Sequence, residues 1–191
     1  MAIRLTLLSH AALRHAPGAR GTALRFPADE PADPIGLAAA AALGPALGRF
    51  ARLLTASEVR ARQTAEALGR EPIVVPDLRD CDYGRWRGRS LEEISAEDPA
   101  GTAAWLADPA AAPHGGESIV ALITRVGAWL DATPGQGHTV GVTHPAVIRA
   151  AIVHALGALP AAFWRVDVEP LSVADLRWHA GRWTLRALGP P

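Results

Sequence analysis

IRLTLLSH, residues 3–10, is an apolar run that stops at a Ser-His pair. It reads as a buried strand over 3–8 that delivers a histidine to its carboxyl end. The pattern returns at 138–144, HTVGVTH, where a strand is again followed by a histidine, His144. Outward from these two, short apolar runs at 52–55 and 73–75 alternate with helical patterns at about 34–50, 58–68, 117–130 and 145–156. Ser57 reads as an N-cap, Gly69 as a helix stop and Pro145 as a first-turn residue. The alternation predicts an α/β layered fold with a largely parallel sheet. Residues 90–108 read as two short helices. The tail reads as a hairpin of 163–178 and 183–188 around HAGR. With no repeat and no linker, residues 1–191 read as a single domain.

Nineteen basic and nineteen acidic side chains cancel, so no global field favours nucleic acid or an anionic membrane, and neither is expected as a partner. All nineteen basic residues are arginine; without lysine, Schiff-base, P-loop and amine-nucleophile chemistry are excluded. One cysteine, Cys81, makes no internal disulfide and no cysteine zinc cluster. Metal-ligand spacing is absent, so neither metal nor cofactor is expected. The first ten residues lack a signal-peptide pattern and no window is apolar enough to span a bilayer, which predicts a soluble, cytoplasmic protein.

The chemistry lies at strand ends, where open α/β sheets bind their ligands. His10 and His144 each follow a strand directly, and Arg60 falls in the first helical turn after a third strand, where helix N–H groups also favour an anion. A lone histidine is more often a packed, hydrogen-bonded side chain. Two histidines and an arginine at three strand ends describe an anion site with a nucleophile.

The segments RLTLLSHA, TASEVRARQTAEAL, LRDCDYGRWRG, HGGES and VGVTHPAVIR, in this order and spacing, resemble the histidine phosphatase superfamily, the phosphoglycerate mutase-like branch 1. The resemblance covers nearly the whole chain. It implies a three-layer α/β/α sandwich and transfer of a phosphoryl group from a small phosphorylated substrate to histidine and then to water. By position, His10 matches the histidine that becomes phosphohistidine, and His144 the second active-site histidine. Arg60 matches the phosphate-binding arginine, and Asp80 the proton donor to the leaving group. Asp82, two residues on, competes with Asp80 for that last role. Trp86 at the pocket mouth and His114 in the HGGES loop are candidate substrate contacts, although packing or solvation is the ordinary fate of each type. Glu117 and Ser118 read as caps of the helix that follows.

One position departs from the pattern. The family's Arg-His-Gly is here Ser9-His10-Ala11, so the arginine that clamps the phosphoryl group is missing, a charged hydrogen bond of roughly 1.5–3 kcal/mol. Arg14 and Arg25 are the candidates to refill it beside Ser9. A register placing Arg14-His15-Ala16 on the motif would move the histidine five residues past the strand end. The expected function is metal-independent phosphomonoester hydrolysis, weakened where Ser9 stands. The alternative is a degenerate member that binds a phosphorylated ligand or a protein partner.

Overall fold

The computed structural model describes residues 3–13, 25–132 and 137–190. Strands β1 (Ile3–Ser9), β2 (Arg52–Thr55), β3 (Ile73–Val74), β4 (His138–Thr143), β5 (Val173–His179) and β6 (Arg182–Gly189) form one sheet in the order β3-β2-β4-β1-β5-β6. The first four strands of that order run parallel, whereas β5 and β6 add an antiparallel hairpin beside β1. Both strand runs that decided the sequence reading are central. Leu5–Ser9 and Thr139–Thr143 are buried on both faces, as continuous apolar runs of a covered parallel sheet must be.

The cover comes from two helix pairs. Helices α1 (Pro34–Ala42) and α3 (Val59–Ala67) pack on each other, as do α6 (Ile119–Ala132) and α7 (Pro145–Ala155). The chain steps outward from β1 to β2 to β3 and then returns to β4. Right-handed crossovers therefore put α1 and α3 on one face and α6 and α7 on the other. This is the three-layer α/β/α sandwich that the resemblance implied. The short α2 (Gly44–Leu47), α4 (Leu91–Glu97) and α5 (Pro99–Ala107) lie in the connections. Among the described residues no helix is long and apolar enough to cross a membrane.

Several local expectations are corrected. The helix expected over 34–50 breaks at Leu43, because Pro45 has no N–H to continue it, and resumes as α2. Ser57 does not cap α3. The cap position is Glu58, and the first free N–H, that of Val59, is taken by the Asp29 carboxylate at 2.9 Å. Ser118 does cap α6, accepting from Ala121 N–H, whereas Glu117 turns away to pair with Arg125. The strand expected from Phe163 begins only at Val173. Residues Pro160–Arg165 form a 3-10 turn that drives Phe163 into the core. The predicted hairpin turn is present, with Ala180 and Gly181 both at positive φ.

Two of the quoted motifs are in fact one backbone crossing. Glu117 N–H donates to the Asp82 carbonyl at 2.7 Å and Arg85 N–H to the His114 carbonyl at 3.0 Å, so residues 82–85 and 114–117 run against each other. A Cβ on Gly84 would collide with the His114 carbonyl, and one on Gly116 with the Asp82 carbonyl. Gly84 also sits at φ +46°, which disfavours a side chain independently. Gly84→Ala is therefore expected to cost about 2–4 kcal/mol, read as a lowered midpoint in urea, whereas Gly44→Ala, with open space around it, stays near wild type.

Candidate active site

β1 and β4 end side by side, and the His10 N–H bonds the Thr143 carbonyl at 2.9 Å, which continues the pairing one residue beyond the strand. The two histidines are thereby placed together, their ring centroids 5.1 Å apart at an interplanar angle of 65°. His10 Nδ1 lies 2.7 Å from the Ala11 carbonyl, an acceptor only, so this nitrogen carries the proton. Nε2 is left with its lone pair toward Arg60 Nε–H, 3.3 Å away. Burial, with the charges of His144 and Arg60 behind it, lowers the His10 pKa from 6.5 to about 3, so the ring stays neutral at ordinary pH.

Arg60 is fully buried in the first turn of α3. Its guanidinium reaches Asp80 Oδ2 at 2.6 Å and the Ala28 carbonyl at 3.3 Å, besides His10. Asp80 Oδ2 also lies 3.4 Å from His144 Nδ1, a buried nitrogen that makes no hydrogen bond. The geometry separates the two aspartates. Asp82 accepts from Gly84 N–H and pairs with Arg87 at 3.3 Å, holding a turn rather than the centre.

Glu58 is the residue that sequence reasoning missed. One carboxylate oxygen lies 3.0 Å from His144 Nε2, and the other accepts the Asp80 N–H at 3.0 Å. Its burial opposes the charge, but the hydrogen bond and charge of His144 and the N–H of Asp80 prevail and lower its pKa to about 2. An acidic residue just ahead of a helix reads as an ordinary partner of the helix dipole, which hides this role. Glu58, Arg60 and Asp80 line a cavity of about 450 Å³ together with Asp29 and Arg87, whereas His10 and His144 lie behind Arg60 and Asp80 and are not part of its wall.

Other expected contacts fall elsewhere. Trp86 is not at a pocket mouth but buried against Phe26, Trp105 and His114. His114 is buried rather than solvated, and its Nδ1 accepts from Gly116 N–H at 3.0 Å. That packing leaves neither side chain a face for substrate. Arg25 is spent on the Gly88 carbonyl at 2.8 Å and on Glu93 at 3.6 Å, away from the cavity walls. Arg14 and His15 lie outside the described residues. Ser9 is fully buried, its backbone tied to Leu171 and Ser172 and its hydroxyl without a partner.

A profile of the histidine phosphatase superfamily (branch 1) matches residues 10–190. A glucosyl-3-phosphoglycerate phosphatase of Mycolicibacterium vanbaalenii is 30% identical across 96% of this chain and 95% of its own length. An adenosylcobalamin/alpha-ribazole phosphatase of Salmonella typhimurium is 31% identical across 63% of each chain. The native structure of a mycobacterial glucosyl-3-phosphoglycerate phosphatase superposes with a TM-score of 0.83 at 27% identity, covering 100% of both chains.

The depressed histidine has a thermodynamic signature. Between pH 6.5 and about 3 the unfolded chain binds a proton at His10 that the folded one refuses, so stability falls as pH drops through that window. Glu58, depressed from 4.5 to about 2, adds a loss in the same direction at lower pH. Urea unfolding of His10→Asn against wild type should show a shallower decline between pH 6.5 and 4.5. Glu58→Gln should instead flatten the decline below pH 4.5.

Proposed function

The chain belongs to the histidine phosphatase superfamily (branch 1) and is a phosphatase, and we propose that it hydrolyses small phosphomonoesters in two steps through a phosphohistidine at His10. The observation that carries this reading is the buried neutral His10, whose Nε2 lone pair faces the guanidinium that also holds Asp80. In the first step Nε2 attacks phosphorus and the ester P–O bond breaks; the phosphoryl oxygens take over the Arg60 donors that hold Asp80 in its ion pair, and Asp80, released to carry a proton, passes it to the leaving oxygen. In the second, water attacks phosphorus, the P–N bond breaks, and Asp80 takes the water's proton. Arg60 supplies donors for the phosphoryl oxygens, and His144 Nδ1 adds another when the ring carries both protons, since Glu58 holds the Nε2 hydrogen. No step calls for a metal ion.

With Ser9 where the family clamp stands, Arg87 is the remaining arginine on the cavity wall and the candidate for a second cationic contact with substrate. Relatives named as phosphatases favour turnover over the degenerate binder. The glucosyl-3-phosphoglycerate and alpha-ribazole enzymes suggest a phosphorylated metabolite with a polar body, which suits a cavity walled by charged side chains. We place the activity in the cytoplasm.

The test is rapid quench into alkaline denaturant during turnover of 4-nitrophenyl phosphate in chelator. Wild type should turn over and show a base-stable, acid-labile adduct with the mass of one phosphoryl group on the peptide containing His10. His10→Ala should lose the adduct and at least about 10³-fold in kcat. Activity that the chelator abolishes, or an adduct on another residue, would sink the mechanism.

A further inference from the structure

Arg125, on the inner side of α6 and remote in sequence from every motif residue at the reaction centre, spends all of its donors on one loop and one carboxylate. Nε and one terminal nitrogen form a fork on Glu117, each at 2.8 Å. The other terminal nitrogen donates to the carbonyls of Asp77 at 2.6 Å and Arg79 at 3.2 Å, and the first reaches the Asp80 carbonyl at 3.3 Å. Both side chains of the pair are about nine-tenths buried. Glu117 completes the frame, because its N–H holds the Asp82 carbonyl at 2.7 Å and its carbonyl accepts from the Cys81 thiol at 3.5 Å. The backbone is therefore gripped at 77, 79 and 80 by one residue and at 82 by its partner, which also holds the Cys81 side chain, with the Asp80 side chain projecting from the middle.

Carbonyls in a loop outside the sheet have no ladder to satisfy them, and three of them turned toward one point need a planar, many-donor cation. A lysine ammonium supplies three donors from a single atom and cannot reproduce the fork. We infer that Arg125 and Glu117 are positioning residues for proton transfer: they hold Asp80 at the distance from Arg60 and His144 at which it can serve the leaving oxygen. The inference rests on Asp80 being the proton donor, as proposed above. Its consequence differs from that of a general support, because a misplaced acid matters only when the leaving group needs a proton. An activated aryl oxide departs without one, and a poorly activated one does not.

The experiment is kcat/KM for wild type, Arg125→Lys, Glu117→Gln, Asp80→Asn and the Arg125→Lys/Asp80→Asn double variant on aryl phosphates from 4-nitrophenyl to 4-methoxyphenyl. Asp80→Asn should lose roughly 10²-fold or more on the 4-methoxyphenyl ester and far less on the 4-nitrophenyl ester. Arg125→Lys should show the same selectivity at about tenfold, and adding it to Asp80→Asn should change nothing further. If Asp80→Asn shows no leaving-group dependence, the proton-donor reading fails and takes this inference with it. If Asp80→Asn is selective but Arg125→Lys and Glu117→Gln lose equally on every ester, or add in full to Asp80→Asn, the positioning role alone is overturned. Should Arg125→Lys not fold, Glu117→Gln, which keeps shape and removes only the charge of the fork, decides the question.

Discussion

A guanidinium with no access to water cannot remain unpaired, and Arg60 satisfies that demand by recruiting the site around it. Desolvating a charge costs several kcal/mol unless it is met by an opposite charge and by hydrogen bonds. Arg60 finds one carboxylate at 2.6 Å, one carbonyl and one imidazole nitrogen. These partners come from three separate parts of the chain: the end of β1, the segment before α1 and the loop after β3. The salt bridge is thus the point at which strand ends, loop and helix agree on one geometry. It also means that Arg60, Asp80 and His10 are held in one orientation by their own contacts.

The neutrality of His10 follows from the same burial. The ring is kept unprotonated by a dry site with positive neighbours, and the Ala11 carbonyl fixes which nitrogen carries the hydrogen. Glu58 performs the complementary task. By taking His144 on one oxygen and the Asp80 N–H on the other, it orients two side chains of the site with one carboxylate. Net charge across the chain is zero, so the attraction for an anion is local and depends on a few aimed groups.

Much of this was legible in the sequence, and the limit has a physical shape. Strand runs that end in His10 and His144 were readable because parallel strands are apolar throughout and stop where the ligand side begins. Arg60 was readable from its place in a helical first turn. Glu58 was not, because its partners are 22 and 86 residues away and nothing local distinguishes it from a cap-side acid. Trp86 and His114 were left between packing or solvation and substrate contact for a related reason. The packing that buries them joins Phe26 to Trp105 across the chain, and turn-like composition around His114 says nothing of what closes over it. The break in the first helix was visible in Pro45, but the run of alanines before it masked it.

The crossing of residues 82–85 with 114–117 carries a lesson about inheritance. Two glycines and two carbonyls, more than thirty residues apart, occupy space that admits no added atom. Neither segment can drift without the other, so a change in one of the two motifs must be matched in the other. Substrate range in such a lineage would then evolve chiefly through the walls of the cavity, in the stretch near Asp29 and at Arg87, while the crossing itself stays fixed.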